Sequence, residues 1–515
     1  MTSEAARLAV WNALLASIAD EMGVTLGLSS HSPNIRERRD YSCGVFDPGG
    51  EMVAQAAHIP VHLGAMPEAI RAVQSLAPWR EGDVAIVNDP YLGGTHLPDI
   101  SLVAPVFWEG DIVAFLSNRA HHADVGGMSA GSMPLSTELY QEGIIIPPLR
   151  LYDAGERNDA LLAMILRNVR TPEERLGDFD AQLAALDTGA SRVHALCRRY
   201  GTAELRAQMA ALKDYTERLT RAAIAAAPDG RYEAQDAVEL PGDNEAPIVL
   251  RLTIEGDAMT FDFTGTAPEQ EASVNAVAAV TRSAVAYCVR CLLPAEAPSN
   301  EGGFRPLRFV LPEGSLVNAR PPRAVSAGNV ETSQRITDVV FRALAHALPD
   351  RIPAASAGTM NNFTFGGQRA DGTPFAYYET IPGGAGAGPR GPGLSGIQTH
   401  MTNTANTPVE SIERTLPVRI HRFELRDGSG GDGAHRGGDG VVREVEALQP
   451  MEAAIIADRR RNAPWGLGGG EAGEPGADTL IHAHGEEQRL PGHTRVRLDK
   501  GDRLRIETPG GGGWG

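Results

Sequence analysis

The 515-residue chain has few cysteines and almost no lysine, and each scarcity excludes a class of protein. Four cysteines are too few for a disulfide framework in a chain of this length. The only lysines are Lys213 and Lys500. The Gly-Lys pair of a P-loop therefore does not occur, and the chain does not bind ATP through that motif. No apolar run approaches the roughly 20 residues needed to span a bilayer.

Positive charge is also in deficit. Lysine and arginine total 47 against 65 aspartates and glutamates, a formal net charge of −18. This balance argues against nucleic acid as a partner, because phosphate contacts require a basic face. Residues 1–23 contain an early glutamate and apolar residues at helical spacing, which is typical of an amphipathic helix and not of a signal peptide. We therefore expect a cytoplasmic location, with neither a membrane nor a nucleic acid as a partner.

The length and the patterning predict a multidomain α+β fold with mixed sheets, because 515 residues exceed what one core normally supports. Four regions are expected: an α+β domain with a metal site, a helical segment, a second α+β domain with a glycine-rich loop, and a β-rich C-terminal domain. Their bounds are 1–150, 151–230, 231–415 and 416–515. The helical segment shows breaks near Thr171-Pro172 and Tyr200-Gly201.

The glycine-rich loop, residues 383–396, contains a formal match to the dinucleotide-binding pattern G-x-G-x-x-G. That fingerprint must open a helix, whereas here more proline and glycine follow. The pattern therefore favours a flexible wall or channel lined by backbone. Near the start of a helix expected over 331–348, Thr332 and Ser333 are predicted to be caps.

The most informative stretch is 88–127, in which two polar clusters flank two apolar runs. The runs, 100–107 and 112–117, meet at Glu109-Gly110-Asp111 and predict a β-hairpin with its turn at Gly110. Antiparallel pairing would place Asp99 opposite His121 and His96 opposite Asp124. The hairpin would thus fold His96-x-x-Asp99 and His121-His122-x-Asp124 into one patch.

Imidazole and carboxylate groups together are ligands suited to zinc, manganese, iron or cobalt, whereas calcium takes oxygen almost exclusively. The convergence of three histidines and two aspartates favours a metal or catalytic site. The alternative is that they are ordinary strand-end histidines hydrogen-bonded to turn carboxylates.

Other polar groups are candidates for the same site. Asp89 is a candidate supporting carboxylate that would not bind the metal itself but would orient a metal-bound histidine by accepting its other N–H, or else it is a turn-former before proline. Either His58 or His62 could line the pocket, or be an ordinary loop histidine. Residues 128–148 are long enough to form a flap, and 400–410 are rich in groups that could bind an amide or carboxylate substrate, or form a polar connection.

Five motifs, in order along most of the chain, resemble those of the hydantoinase B/oxoprolinase family. They are HIPVHLGAM (58–66), GDVAIVNDPYLGGTHLPD (82–99), RAHHADVGG (119–127), GNVETSQRITD (328–338) and MTNTANTPVE (401–410). The family includes the metal-bearing subunits of ATP-dependent hydantoinase, caprolactamase and ketone carboxylases. A resemblance of this length is specific for the family and not for the substrate.

The resemblance implies a hetero-oligomer in which a hydantoinase A-type subunit binds ATP and phosphorylates a cyclic amide. This chain would bind a divalent zinc, manganese or iron ion and deliver water to the activated carbon. His96, Asp99 and His121 are the expected ligands. His122 or Asp124 would complete the site, orient it or accept a proton, with Asp89 in support. The alternatives are a subunit of an ATP-dependent ketone carboxylase and a non-catalytic scaffold for the ATP-binding partner.

Overall fold

The structure is a computed structural model that describes residues 4–56, 58–242 and 244–515. Its helices include one long pair of neighbours in the middle of the chain. None of the described helices combines the length and the apolar character that a membrane span requires. The helices are α1 (Glu4–Ser29), α2 (Pro33–Arg36), α3 (Met66–Val73), α4 (Asp159–Arg167), α5 (Pro172–Tyr200), α6 (Thr202–Ala225), α7 (Ala278–Arg290), α8 (Ser333–Ala347) and α9 (Val409–Thr415).

The strands fall into an N-terminal, a central and a C-terminal group. The N-terminal group is β1 (Tyr41–Phe46), β2 (Met52–Gln55), β3 (Val84–Val87), β4 (Asp99–Trp108), β5 (Asp111–His121), β6 (Leu149–Asp153) and β7 (Glu156–Arg157). The central group is β8 (Gly230–Glu239), β9 (Glu245–Glu255), β10 (Ala258–Asp262) and β11 (Leu307–Val310). The C-terminal group is β12 (Asn362–Gln368), β13 (Pro374–Thr380), β14 (Val418–Arg426), β15 (Gly440–Ala447), β16 (Met451–Ile456), β17 (Ala477–Ile481), β18 (Glu487–Leu490), β19 (His493–Leu498) and β20 (Arg503–Glu507).

The N-terminal sheet has the order β2-β1-β5-β4-β3-β6-β7. Its long central pair, β4 and β5, is the hairpin that the sequence predicts, and this prediction is confirmed. The turn lies at Glu109 and Gly110, both of which have positive φ. Almost every residue of β4 and β5 away from the turn is buried. The hairpin is therefore a rigid support for groups at its open end.

The helical segment covers the N-terminal sheet. Its helices α4, α5 and α6 are separated at Pro172 and Gly201, so both predicted breaks are confirmed. Gln182 of α5 anchors the segment to the hairpin, because its side-chain amide donates hydrogen bonds to the Ile100 carbonyl (3.1 Å) and to Asn118 (2.9 Å). Helix α1 packs along α5, with the Thr25 and Thr188 hydroxyls 3.2 Å apart.

The central sheet has the order β11-β10-β9-β8 and packs against α8. A turn of π-helix, Gly328–Thr332, leads directly into α8. The prediction that Thr332 and Ser333 cap this helix is wrong. The Thr332 hydroxyl donates to the Val274 carbonyl, and the Ser333 hydroxyl donates back to the Asn329 carbonyl at 2.7 Å. Continuous helical backbone through this point leaves no start for a cap to satisfy.

The C-terminal region contains two sheets, β13-β12-β16-β19 and β14-β15-β20-β17-β18, within the described ranges. The first sheet takes two strands from each side of residue 415. Strand β12 pairs with β13 before that point and with β16 after it. Residues 362–380 and 451–498 therefore share one hydrogen-bonded sheet and one apolar cluster.

The glycine-rich segments are closely packed and do not form a flexible wall. Glycines of 383–396, 428–440 and 509–515 pack backbone against backbone. The Gly438 N–H donates to the Ala385 carbonyl, and the Gly511 N–H donates to the Gly438 carbonyl, both at 2.9 Å. A Cβ at Gly438 would overlap the Leu394 carbonyl oxygen. Only glycine permits this approach of backbones.

Candidate metal centre

The open end of the β4–β5 hairpin carries the candidate site. Asp99 begins β4, His121 ends β5, and the two residues are paired directly across the strands. His96 lies one turn earlier, where the Asp99 N–H donates to the His96 carbonyl at 3.1 Å. Asp99 Oδ1 lies 3.0 Å from His96 Nε2 and 3.2 Å from His121 Nδ1. Three side chains that could bind a cation thus converge on one point.

The second oxygen of Asp99 is used differently. It accepts hydrogen bonds from one group in its own loop and from two groups on other segments. These are Thr95 Oγ1 (2.6 Å), Asn329 Nδ2 (3.3 Å) and His62 Nε2 (3.3 Å). The carboxylate is therefore fixed through Oδ2, while Oδ1 is directed at the two imidazoles.

The charges of the cluster follow from burial and from mutual contact. Burial alone would raise the pKa of Asp99, but His96, His121 and His62 outweigh it and lower that pKa well below its usual value. Burial lowers the pKa of His121. For His96 the lowering by burial is outweighed by Asp99, so its pKa is raised. The lowered pKa values of Asp99 and His121 favour the ionised carboxylate and the neutral imidazole, which are the states that bind a metal ion, whereas the raised pKa of His96 means that this imidazole must release any proton it carries when a metal binds.

A small cavity of about 20 Å³ lies over the cluster. This is room for about one water molecule or one ion. Its walls come from both halves of the chain and include polar, apolar and aromatic groups. Besides the cluster and His62, they include Asp40, Val61, Asn329, Met360, Tyr378, Thr380, Met401, Thr402 and Thr404.

The cluster fits a divalent metal ion. Its potential ligand atoms lie within 4.8 Å of one another, and all three residues are buried. His96 Nε2 is buried and makes no regular hydrogen bond, although it lies 3.0 Å from Asp99 Oδ1, and His121 Nε2 is buried without a hydrogen-bond partner among the described residues. Two imidazoles and one carboxylate form a donor set that suits zinc, manganese or iron. His96 Nδ1 lies 3.3 Å from the Ser326 carbonyl, a contact that orients metal-binding histidines.

The structure places His122 and Asp124 away from the cluster. His122 faces α5, where its Nε2 lies 3.0 Å from Gln182 Oε1 and its ring packs on Phe179. Asp124 is buried and accepts hydrogen bonds from the Gly126 N–H and from the Arg170 guanidinium at 2.9 Å. Neighbouring residues on an extended chain point in opposite directions, so His121 and His122 do not share one pocket.

Asp89 caps the short 3₁₀ turn Pro90–Leu92 by accepting a hydrogen bond from the Tyr91 N–H at 2.9 Å. Burial raises its pKa. Of the histidine pair, His62 contacts Asp99, whereas His58 packs edge-on against Tyr41. His62 Nδ1 is in turn 2.8 Å from the Ser42 hydroxyl.

The expected flap, 128–148, contributes no residue to the cavity wall in the described structure. It packs instead behind His96. Glu142 is buried there and accepts hydrogen bonds from the Ser326 and Val325 N–H groups, both at 2.9 Å. Met401, Thr402 and Thr404, which belong to the polar stretch 400–410, are part of the cavity wall.

Two residues that the sequence did not single out contact the cluster. Asn329 donates to Asp99, and the ring of Tyr378 stacks on His121 with centroids 4.6 Å apart and planes at 18°. They lie more than 200 residues from their partners, and no local pattern connects such distant segments. Asn329 does lie in the motif GNVETSQRITD, so the family resemblance of that motif could have identified it as a candidate site residue.

The fold and the buried cluster define a multidomain α+β chain with a candidate metal centre on a hairpin. The family described as hydantoinase B/oxoprolinase matches residues 4–515. The chain belongs to this family, and the resemblance predicted from the motifs is confirmed.

Curated relatives and solved structures agree with this assignment. The chain is 40% identical to 5-oxoprolinase 1 of Arabidopsis thaliana over its full length, but spans only 42% of that protein. It is 31% identical to one subunit of a putative D-/L-hydantoinase of a Pseudomonas species, with 97% of this chain and 88% of the relative covered.

Among solved structures, the ATP-dependent caprolactamase of Pseudomonas jessenii superposes with a TM-score of 0.93 at 29% identity, covering 100% of this chain and 92% of that chain. An acetone carboxylase superposes with a TM-score of 0.91 at 19% identity, covering 100% and 76%. The second likeness shows the fold alone. The α+β fold class predicted from the sequence is confirmed.

Proposed function

We propose that the chain is the metal-bearing subunit of an ATP-dependent cyclic amidohydrolase that acts on a lactam or hydantoin ring. The observation that carries this proposal is the buried cluster of His96, Asp99 and His121, in a family whose named relatives include 5-oxoprolinases and a caprolactamase. A hydantoinase A-type partner would bind ATP, since the sequence has no P-loop.

Activation by ATP has a chemical reason. A cyclic amide resists water because its carbonyl carbon is a poor electrophile. Phosphorylation of the amide oxygen makes that carbon more electrophilic, so that water can add to it. The ring C–N bond would then break, with the nitrogen leaving as a protonated amine, and a second water would release phosphate from the acyl phosphate that remains. A divalent cation bound by the cluster would stabilise negative charge on oxygen and lower the pKa of water toward about 7.

The residues of this chain would prepare the site for that reaction. Thr95, Asn329 and His62 fix Asp99 Oδ2, so that Oδ1 is presented to the cation. His96 and His121 would complete the ligand set. Asp40 is buried in the wall of the same cavity and would be placed to accept a proton. The enclosed cavity would exclude bulk water and so strengthen these electrostatic contacts.

The test is co-expression of the chain with its ATP-binding partner, followed by elemental analysis and product assays. Hydantoin, 5-oxoproline, caprolactam and acetophenone would each be offered with ATP, with and without bicarbonate. We expect a stoichiometric divalent metal and bicarbonate-independent ring opening. Turnover that requires bicarbonate would identify a ketone carboxylase instead.

A matched pair of variants tests the ligand assignment. His96→Ala is expected to lose the metal and to reduce turnover by more than the roughly 10–100-fold that loss of a residue orienting a metal ligand typically costs. His194→Ala is the control, since His194 bonds the Phe107 carbonyl near the hairpin turn. If the complex contains no metal and His96→Ala turns over normally, the chain is a scaffold for its partner.

A further inference from the structure

Glu331 is a buried carboxylate that neither the cavity nor the metal cluster contacts directly. It is fully buried in the π-turn Gly328–Thr332. Its Oε1 accepts hydrogen bonds from Asn362 Nδ2 at 2.7 Å and from the Met360 N–H at 3.0 Å. Its Oε2 accepts one from the Asp458 N–H at 3.0 Å. The carboxylate therefore joins three segments of the chain at one point.

One path leads from Glu331 to His121 through side chains. Because an ionised carboxylate only accepts hydrogen bonds, Glu331 fixes the Asn362 amide with its NH₂ group toward Glu331, together with the Ile456 carbonyl, which accepts from the same NH₂ group at 2.7 Å. The Asn362 oxygen then accepts the Tyr378 hydroxyl proton at 2.9 Å. The Tyr378 ring stacks on His121. The Tyr378 ring thus limits the rotation of the His121 imidazole, and Glu331 supports the position of that ring through Asn362.

A second path leads from Glu331 to Asp99 through the backbone. Asn329 lies two residues earlier in the same π-turn and donates to Asp99 Oδ2 at 3.3 Å. Such turns are rare and occur frequently at functional sites. This one requires glycine at 328, since a Cβ there would overlap the Asn275 carbonyl. Glu331 anchors the turn that presents Asn329.

We propose that Glu331 is a positioning residue for the metal centre, which orients His121 through Asn362 and Tyr378 and places Asn329 on Asp99. The inference rests on the metal site proposed above and adds a residue three contacts away from it. Glu331 belongs to the GNVETSQRITD motif, so the inference also gives that motif a physical role.

The expected effect of losing this support is a weaker metal site in a folded protein. In Glu331→Gln the new NH₂ group must oppose one of the N–H donors, whichever way the amide is turned. Tyr378→Phe keeps the ring stacked on His121 and removes only the hydroxyl. Disturbing residues that orient metal ligands typically weakens metal affinity 10–100-fold. We expect each variant to raise the Kd for Zn²⁺ or Mn²⁺ about 10-fold.

The experiment is a chelator-competition titration of the full-length, metal-stripped chain with Zn²⁺ and with Mn²⁺. It is run at pH 8, because burial and the nearby Asp458 raise the pKa of Glu331 to about 7. The variants are Glu331→Gln, Tyr378→Phe and the double variant. Glu444→Gln is the control, since Glu444 is equally buried but pairs with Arg503 and Arg505 in the C-terminal sheet.

The double-mutant cycle separates positioning from general stability. If both residues act through Asn362, the Kd of the double variant for the metal should not exceed the higher of the two single-variant Kd values. Glu444→Gln should lower the Tm and leave the Kd unchanged. Two results would overturn the inference. One is single variants that bind the metal as tightly as wild type, and the other is a double variant whose fold-increase in Kd equals the product of the two single-variant increases.

Two further outcomes are informative. If Glu331→Gln does not fold, Tyr378→Phe and Asn329→Ser replace it, and normal metal affinity in both overturns the inference. If the wild-type chain binds neither cation, the proposed metal site is itself refuted and the positioning role falls with it. A failure of the inference alone therefore differs from a failure of the proposed function.

Discussion

Asp99 differs from an ordinary buried carboxylate in the use of its two oxygens. Oδ2 is saturated by protein donors, while Oδ1 faces His96 and His121. If protein hydrogen bonds alone stabilised the Asp99 carboxylate, two imidazoles, those of His96 and His121, would not be needed next to Oδ1. The contacts of Oδ2 therefore orient the carboxylate with Oδ1 toward the position that a cation would occupy, which is the role that outer contacts have at metal sites.

His493 allows a pH prediction at the residue scale. Burial lowers its pKa to about 4 from a usual value of 6.5, and its Nε2 is buried without a hydrogen-bond partner in the described structure. Below pH 6.5 the unfolded chain takes up a proton that the folded chain cannot. Wild type should therefore lose about 1.2 kcal/mol of stability between pH 6 and pH 5, relative to His493→Gln.

The measurement is urea unfolding of both proteins at pH 7.5, 6.0 and 5.0. Comparing the two at each pH cancels the other titrating groups. If the difference in the free energy of unfolding between wild type and His493→Gln stays constant with pH, His493 has the same pKa in the folded and unfolded states.

At the scale of elements, the sequence predicted structure where the signal was local. The hairpin followed from two apolar runs and Gly110, and the breaks in the helical segment from Pro172 and Gly201. The contacts of Asn329 and Tyr378 with the cluster could not be predicted, because they join segments that are distant in the chain. The caps at Thr332 and Ser333 were wrong, since a π-turn that continues into a helix has no local signature.

The glycine-rich segments 383–396, 428–440 and 509–515, which pack backbone against backbone, give a prediction at this scale. Gly438→Ala should destabilise the protein by several kcal/mol, since the new Cβ overlaps the Leu394 carbonyl and the surrounding backbone is itself hydrogen-bonded. Gly391→Ala is the matched control, because no atom lies within 4 Å of its Cβ position. Thermal unfolding of both variants is the measurement. Equal Tm values would mean that the backbone around Gly438 can move to accommodate a Cβ at little cost in stability.

At the scale of the whole molecule, the size of the cavity limits how the site can be used. About 20 Å³ does not admit a cyclic amide, since pockets for small molecules are typically 300–1,000 Å³. One segment of the cavity wall, residues 401–404, which we call the cover, lies outside regular secondary structure. It is attached by polar contacts: the Thr404 hydroxyl lies 2.6 Å from that of Thr380, and the Ala405 N–H donates to the Arg38 carbonyl at 2.8 Å.

We therefore expect substrate entry to require movement of this cover, and Thr404→Val to make that movement easier. The substitution leaves the buried Thr380 hydroxyl and Arg38 guanidinium each without one partner, at a cost of about 1–2 kcal/mol. Amide hydrogen exchange of residues 402–406 should accelerate about 5–30-fold. Thr415→Val, at an exposed threonine of α9, should leave that exchange unchanged. If Thr404→Val exchanges as slowly as wild type, these contacts do not restrain the cover, and the substrate must reach the metal centre from another side.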